Sequence, residues 1–423
     1  MKDTIIANKY ERDQLLAQPY ILRSLAEIAR KSIASDLIKV IIGPRRAGKS
    51  VFAMQLLKDV PFAYVNFDDE RFNRVMDYDD IVKNIKQVYG NTQYLLFDEI
   101  QNLDRWELFV NRLQRIGYKM VITGSNSRLL SRELATHLTG RYVQFQILPF
   151  SFSEYLQAMD IKLSESVELK QQQGMMLFHL NEYASSGGYP EVIIKKLLPR
   201  EYCKLLLESV LLKDIVRRYN VRYSQKLYEL AAYVLSIHSM ELSYSKLKNI
   251  LSFRSVHTVE NYLSYLEESF ISFFVKRFSY KLKEQIKAPR KTYAYDNGII
   301  NAFSFKMSPD TGKLIENLVA IELQRRAKDL FYYRDERGTE IDFLIREGST
   351  ISQMIQVCYD LKDPAVKKRE CIAFLKASER IGCHNFLVIT WDFEAIERYR
   401  DARISFIPLW KWLLEQVTGF PLY

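Results

Sequence analysis

Residues 43–50 read Gly43-Pro44-Arg45-Arg46-Ala47-Gly48-Lys49-Ser50 and match the pattern G-x-x-x-x-G-K-[ST] at every fixed position. In such a loop the two glycines let the backbone curl, so that successive N–H groups point at phosphate oxygens. The Lys49 ammonium is placed to reach the β- and γ-phosphates of a nucleotide, and the Ser50 hydroxyl to hold Mg²⁺. We therefore predict a phosphate-binding loop whose contacts extend through Val51, the residue after the pattern.

The segments on either side of this loop are those that a phosphate site requires. Residues 37–42 form a mostly apolar run that is typical of a buried strand, and residues 51–57 are apolar with helical spacing. A loop that opens a helix benefits from the positive field at the helix N-terminus. The alternative is a glycine turn between strand and helix that binds no ligand.

A second segment supplies the carboxylates that a phosphate-binding loop needs. Residues 94–100 are four apolar or aromatic residues followed by Asp98, Glu99 and Ile100, which predicts a central strand with acids at its C-terminal tip. We predict that Asp98 belongs to the Mg²⁺ shell and that Glu99 is the general base that orients the attacking water. The alternative is an ordinary strand end with solvated acids.

A third predicted strand, residues 119–127, ends in small polar residues. Such groups beside the γ-phosphate can sense whether it is present, and we favour Asn126 for this role, with Ser125 as the alternative. Further strands are predicted at residues 62–68 and 141–148. Five strands separated by helical patterns predict an α/β fold whose parallel sheet is covered on both faces.

Phosphoryl transfer usually gains from an arginine beside the transferring group. Three arginines follow the third strand, and we favour Arg141 over Arg128 and Arg132. The sequence leaves open whether Arg141 acts in its own subunit or on a neighbouring one. Arg45 and Arg46 lie inside the loop itself. The sequence leaves open whether they contact nucleotide, nucleic acid, an adjacent domain or only solvent.

Composition restricts the class of protein. The chain has 423 residues, enough for several domains, and a net charge of +10. It contains no apolar run of the ~18 residues that cross a membrane and no secretion signal at Met1, so we expect a cytoplasmic protein without a membrane partner. Its four cysteines lack metal or disulfide spacing and are expected to be reduced thiols.

The middle of the chain is basic. Residues 200–300 carry seventeen Lys and Arg against ten Asp and Glu. We predict a helical lid over residues 151–225 and a winged helix over residues 226–304, with a basic wing at Lys281, Lys283, Lys287, Arg290 and Lys291. DNA or RNA could bind through residues 276–291. Three acids on the predicted recognition helix argue against tight insertion into a groove, so a spacer or protein-docking role is the alternative.

Residues 305–423 alternate helix and strand, and they resemble the PD-(D/E)XK nuclease fold. Asp342 matches the first acid of that motif, whereas the acid-x-lysine position reads Gln356-Val357-Cys358. Glutamine is a poor ligand for Mg²⁺, and cysteine prefers softer metals. Glu340 could supply the second acid, and Lys362, Lys367 or Lys368 the lysine. We expect a nuclease-like scaffold that is retained for binding and does not cleave.

Several motifs together resemble a family of AAA-type P-loop ATPases that carry a winged helix and a C-terminal nuclease-like domain of unknown function. The resemblance rests on the loop at residues 43–50 and the motif at residues 95–100. It also rests on Thr123-Gly124-Ser125-Asn126, on Leu138-Thr139-Gly140-Arg141 and on the run at residues 148–155. It implies ATP and Mg²⁺ as ligands and ATP hydrolysis as the activity, with an ATPase domain over residues 1–150.

Three hypotheses of function follow. The first is an ATP-dependent molecular switch or motor that moves the lid and winged helix. The second is a nucleic-acid enzyme in which ATP licenses the C-terminal domain, residues 305–423, to cut. The third is a scaffold that retains ATP without turnover and binds a protein partner. Homo-oligomer formation stays open in all three.

Overall fold

A computed structural model describes residues 1–74, 77–126, 138, 140–161, 170–303, 310–361, 363–400 and 402–415. Two compact units are present. One is built on Met1–Pro149, and the other on Phe150–Glu267 together with the described residues from Ile271 to Glu415. Within the described residues, no helix has both the length and the apolar character needed to cross a membrane.

The first unit is built around a five-stranded parallel sheet. Its strands are β1 Ile38–Ile42, β2 Phe62–Asn66, β3 Tyr94–Asp98, β4 Lys119–Gly124 and β5 Tyr142–Gln146. The spatial order is β2-β3-β4-β1-β5, and each neighbouring pair is parallel. The predicted α/β fold with a parallel sheet is thus confirmed. All parallel strands end at one edge, so the residues that follow β1, β3 and β4 meet there.

Helices cover this sheet. They are α1 Lys2–Ala17, α2 Ala26–Ile33, α3 Lys49–Leu57, α4 Tyr78–Tyr89 and α5 Trp106–Arg115. The first helix protects β2, which is an edge strand. Arg12 donates from Nη1 to the carbonyl oxygen of Phe62 at 2.5 Å, and the Asn8 side chain accepts the backbone N–H of Asn66 at 3.0 Å. These bonds occupy strand groups that would otherwise be open to another chain.

The second unit begins with helices. They are α6 Phe152–Ala158, α7 Lys170–Ser186, α8 Pro190–Ile194, α9 Pro199–Ser209, a π-helical turn Val210–Val216, α10 Ser224–Ser236, α11 Tyr244–Ile250 and α12 Val256–Glu268. A capping box starts α6, because the Ser151 hydroxyl accepts the Glu154 N–H at 3.2 Å and the Glu154 carboxylate accepts the Ser151 N–H at 2.9 Å. Ser255 caps α12 through a single bond, since its hydroxyl accepts the Thr258 N–H at 3.1 Å.

A nine-stranded mixed sheet completes the second unit. Its strands are β6 Met240–Leu242, β7 Ser272–Arg277, β8 Arg290–Ala294, β9 Asp329–Arg334, β10 Glu340–Glu347, β11 Thr350–Cys358, β12 Phe386–Thr390, β13 Ala395–Tyr399 and β14 Ala402–Pro408. The helices after β7 are α13 Leu282–Lys287, α14 Asn297–Phe303, α15 Thr311–Arg325, α16 Pro364–Ile381 and α17 Leu409–Leu414.

This sheet joins two regions that the sequence suggested were separate. Strand β7, predicted for the winged helix, pairs in parallel with β9 through Lys276 opposite Phe331. The order β13-β14-β12-β11-β10-β9-β7-β8-β6 therefore runs through both regions. The predicted wing also differs, since α13 stands between β7 and β8, and Lys291 is a buried residue of β8. Lys291 is therefore not the solvent-facing phosphate contact that the sequence suggested.

A buried carboxylate fastens a glycine turn inside the second unit. Asp296 accepts backbone N–H groups from Gly188 at 2.7 Å, Gly298 at 2.8 Å and Ile299 at 3.3 Å. A Cβ on Gly187 would lie 2.1 Å from Asp296 Oδ1, so the turn requires glycine there. Burial raises the pKa of Asp296 to about 7, despite the three N–H donors that favour its charged form.

This shift predicts a pH-dependent contribution to stability. The folded state binds the Asp296 proton more tightly than the unfolded state, so its contribution is largest at low pH and is lost as pH rises from about 4 to about 7. Relative to an Asp296→Asn variant, the natural chain should lose roughly 2–3 kcal/mol of unfolding free energy between about pH 5 and pH 8. Urea unfolding at both pH values measures this difference, and Asp59→Asn, at an exposed acid, is the control. If the unfolding free energy changed equally with pH in the natural chain and in Asp296→Asn, the prediction would be contradicted.

Candidate nucleotide-binding site

The loop after β1 has a backbone that only glycine permits at two positions. Gly43 has φ of 152°, and a Cβ there would lie 1.9 Å from the carbonyl oxygen of Ile147. Gly48 has φ of 91° and immediately precedes α3. Arg46, between them, adopts a left-handed φ of 64°. The curled backbone thus opens directly into the N-terminus of α3, the arrangement that favours an anion.

Lys49 is buried at the start of α3 and faces the tip of β3. Its side chain is 4% exposed, its Nζ donates to the Pro44 carbonyl oxygen at 3.0 Å, and it lies 3.5 Å from Glu99 Oε1. Glu99 itself adopts a left-handed φ of 50°, which costs a non-glycine residue of order 1 kcal/mol or more. Such strain, held by the surrounding structure, is typical of a functional position.

Asp98 is the fixed centre of the site. Its carboxylate accepts hydrogen bonds from the Ser50 hydroxyl at 2.9 Å, from the Tyr64 hydroxyl at 3.1 Å and from the Thr123 hydroxyl. Burial, together with the charge of neighbouring Glu99, raises the pKa of Asp98. A positive charge placed beside it would relieve both effects. Strands β1, β3 and β4 thus bring a hydroxyl and a carboxylate together where a divalent cation would find oxygen ligands.

Glu99 has the opposite electrostatic balance. Burial alone would raise its pKa, but Lys49, the Gln101 side chain and Arg45 together bring the pKa of Glu99 below its usual range. Gln101 donates from Nε2 to Glu99 Oε2 at 2.5 Å. Glu99 is therefore a carboxylate at neutral pH, held in one orientation, and able to accept a proton or orient a water molecule.

Two further predicted residues lie at the same edge. Ser125 and Asn126 directly follow β4, and both are buried. Arg45, within the loop itself, has its Nη2 3.7 Å from Asp68 Oδ1. These placements are compatible with the roles predicted from sequence, and those roles stay predictions.

Arg141 is not brought to the loop of its own chain. It is exposed and precedes β5, its Nη1 donates to Asn111 Oδ1 at 2.9 Å, and its carbonyl oxygen accepts the N–H of Ile38. Ile38 begins β1, whereas the phosphate loop follows the end of β1, so Arg141 lies at the opposite edge of the sheet. A role in its own subunit is therefore wrong on geometric grounds, and action on a neighbouring subunit stays a prediction. Arg128 and Arg132 lie outside the described residues.

Sequence reasoning missed Arg23. This residue is 5% exposed, donates from Nη1 to the Ala47 carbonyl oxygen at 2.9 Å and from Nη2 to the Leu148 carbonyl oxygen. It thereby braces the phosphate loop against the segment after β5. Arg23 lies 24 residues before Ala47, and no local pattern marks it.

The residues present fit a nucleoside triphosphate with Mg²⁺. Glycine at position 43 lets the curled loop pack directly against the Ile147 backbone, which a Cβ would not permit. Lys49 supplies the buried cation, and Ser50 with Asp98 supplies hard oxygen atoms at 2.9 Å from each other. This donor set is the one that a phosphate chain and a magnesium ion prefer.

The second predicted site has a different chemistry. Asp342 on β10 is partnered by Lys291 Nζ at 3.0 Å and by the Val357 N–H at 3.0 Å. Gln356 donates to Glu370 at 2.7 Å, and Cys358 is buried with a pKa raised to about 11 by burial. Among the described residues, no cluster of three or more His, Cys, Asp or Glu side chains is suited to hold a metal ion. Lys362 lies outside the described residues, and Lys367 pairs with Glu397 at 2.6 Å.

The close approach at Gly43 gives a testable prediction. Gly43→Ala should abolish nucleotide binding or lower the stability of the chain by about 3 kcal/mol or more, because its Cβ meets backbone and cannot move aside. Gly90→Ala is a matched control, since Gly90 also has positive φ, 73°, but open space around it. Thermal unfolding and nucleotide titration of both variants measure the difference. Equal behaviour of the two would contradict the assigned loop geometry.

Comparison with known families divides the chain into three matched regions. A family described as an AAA domain matches residues 35–156. Two families described as domains of unknown function match residues 177–310 and 311–412. The first match coincides with the phosphate loop and the three strand ends that form the site.

Similar whole proteins are also known. An uncharacterized protein of Methanocaldococcus jannaschii is 34% identical over 432 residues, covering 95% of this chain and 96% of the relative. An uncharacterized protein of Haemophilus influenzae is 32% identical, covering 78% of this chain and 84% of the relative. Among solved structures, a Walker-type ATPase of Pyrococcus abyssi aligns with a TM-score of 0.41 at 15% identity, covering 67% of this chain and 96% of that one.

Proposed function

Because this chain belongs to the same family as its Methanocaldococcus jannaschii relative and matches an AAA domain over residues 35–156, we propose that it binds ATP and hydrolyses it at the loop of residues 43–50. The observation that carries the proposal is the convergence of four side chains at one sheet edge. Lys49 lies 3.5 Å from Glu99, and Ser50 lies 2.9 Å from Asp98. A strand end with only a structural role would not require a buried lysine beside one carboxylate and a hydroxyl beside the other.

Each residue has a defined task. The N–H groups of the loop and of the first turn of α3 bind the phosphates, and Lys49 neutralises the β- and γ-phosphate charge. Ser50 and Asp98 would hold Mg²⁺, which supplies positive charge that stabilises the charge developing on the phosphates. Glu99 orients the attacking water and accepts its proton, and Gln101 keeps the Glu99 carboxylate in position.

Lys49 and Glu99 must change partners when substrate binds. In the structure Lys49 contacts the Pro44 carbonyl oxygen and Glu99. A phosphate oxygen competes for the same ammonium, and Glu99 Oε1 is then released from Lys49 to accept a hydrogen bond from water. Asn126, buried after β4, is our candidate for detecting the γ-phosphate.

We infer that ATP turnover drives a switch or motor. The helical region 151–225 and the sheet that follows it would respond to the state of the site, and the C-terminal region would bind without cleaving. The cytoplasmic location, oligomeric assembly and any protein or nucleic-acid partner of such a switch belong to this proposal as well. Support comes from the strained Glu99 and the exchangeable Lys49 contacts described above.

Phosphate release by the full chain tests the proposal. Turnover should require Mg²⁺ and should fall about 100-fold or more in Asp98→Asn, because the neutral amide no longer attracts the cation. ATP affinity in that variant should also be the same in Mg²⁺ and in EDTA. Asp104→Asn removes an exposed acid from the same unit and should leave turnover unchanged. Turnover that survives in Asp98→Asn would exclude the assigned metal shell.

A further inference from the structure

A cavity of about 670 Å³ lies in the second unit, away from the phosphate loop. One face of α16 lines it with Lys368, Arg369 and Lys376, and the turn before β10 contributes Arg337. Its lining also contains the carboxylates of Glu340, Asp342 and Glu370, and we call this acidic part the floor of the cavity. This size is ordinary for a site that binds a small molecule or a short segment of a polymer.

A buried lysine already pairs with carboxylates of this floor. Lys291 Nζ lies 2.7 Å from Glu340 Oε1, 3.0 Å from Asp342 Oδ1 and 3.1 Å from Glu316 Oε1. The second oxygen of Asp342 accepts the Val357 N–H at 3.0 Å. The ammonium thus takes the place among these carboxylates that a bound cation would need.

The remaining polar groups of the floor are paired with one another. Gln356 accepts the Asp342 N–H at 3.2 Å and donates to Glu370 at 2.7 Å. Arg369 approaches the other oxygen of Glu370 at 2.7 Å. Every carboxylate that lines the cavity therefore has a partner within the protein.

Three cationic side chains around the cavity, unlike its carboxylates, are not held in an ion pair within the described residues. Arg337, Lys368 and Lys376 are exposed, and in the described part of the chain none of them forms an ion pair within 4.0 Å. Lys368 and Lys376 are eight positions apart on one helix, roughly 12 Å along its axis. A single phosphate group is much shorter than this, so the arrangement matches a ligand with several linked phosphates.

We propose that this cavity binds a chain of two or more linked phosphate groups through Arg337, Lys368 and Lys376, without a divalent cation. The described lining contains no aromatic side chain on which a base could stack, so the phosphates carry the recognition. A soluble polyphosphate compound and the backbone of a nucleic-acid strand offer the same chemistry.

Calorimetry with inorganic tripolyphosphate in EDTA tests the proposal. The full chain carrying Lys49→Ala is titrated, because this substitution weakens binding at the phosphate loop. The result therefore stays interpretable if the proposed ATPase activity fails its own test. We expect saturable binding that Lys368→Ala/Lys376→Ala weakens at least tenfold. Lys83→Ala/Lys86→Ala removes the same charge from exposed positions on α4 and should leave the affinity unchanged.

A second titration with 5′-phosphorylated tetrathymidine separates the two sources. Binding of both probes through the same two lysines supports a nucleic-acid strand, and binding of tripolyphosphate alone supports a soluble compound. No binding of tripolyphosphate, or equal weakening by the two double variants, would overturn the proposal. Since all four lysines are exposed, loss of folding is not an alternative explanation.

Discussion

Replacing Glu99 with glutamine is expected to lower ATP turnover by about 10²–10⁴-fold while ATP remains bound. Glutamine keeps the size of the side chain and its contact with Gln101, but it can neither accept a proton nor carry the charge that Lys49 stabilises. Removing that charge also releases Lys49 from its 3.5 Å ion pair. Affinity for ATP should therefore stay equal or increase.

Single-turnover phosphate release and retention of labelled ATP measure the two effects separately. Glu70→Gln, at an exposed acid in the same unit, provides the control and should behave like the natural chain. Turnover of Glu99→Gln within about twofold of the natural rate would remove Glu99 from the mechanism, since a general base contributes at least about 100-fold.

Replacing Lys49 with alanine is expected to abolish turnover and to weaken ATP binding by roughly 30–1,000-fold. The magnitude follows from about 2–4 kcal/mol for a buried, charge-assisted contact to phosphate. The substitution also leaves the Glu99 carboxylate buried without its cation, which raises the pKa of Glu99 because Lys49 is the principal group that lowers it. Both consequences oppose catalysis.

Lys58→Ala is the matched control for this variant, because Lys58 directly follows α3 and is exposed. In equilibrium titration of ATP and in steady-state phosphate release, Lys49→Ala should be impaired and Lys58→Ala should behave like the natural chain. Lys49→Met keeps most of the side-chain volume, so it separates the effect of losing the charge from the effect of losing packing. Full turnover in a folded Lys49→Met chain would contradict the role of the ammonium.

The nucleotide site could be predicted from sequence because its geometry is encoded locally. Two glycines at fixed spacing dictate the curl of the loop, and the apolar runs that precede Gly43 and Asp98 predict parallel strands with a common edge. The five-stranded parallel sheet followed from those runs and is confirmed. The convergence of Ser50 and Asp98, 48 residues apart, is a consequence of that shared edge.

Other features depend on contacts that no local pattern records. Lys291 and Asp342 are 51 residues apart, and their ion pair exists only because β8 and β10 enter one sheet that the sequence divided between two regions. Arg23 braces the loop through backbone carbonyl groups, which carry no sequence signature. Arg141 follows a recognisable motif, yet the register of β5 against β1 places it at the far edge.

The central claim is tested most directly by calorimetry of ATP binding to the full, folded chain in the presence of Mg²⁺. The account predicts saturable binding of ATP that weakens in EDTA and that Lys49→Ala weakens by at least about 30-fold. Heat of binding that is absent, or that is the same in Lys49→Ala as in the natural chain, would contradict it.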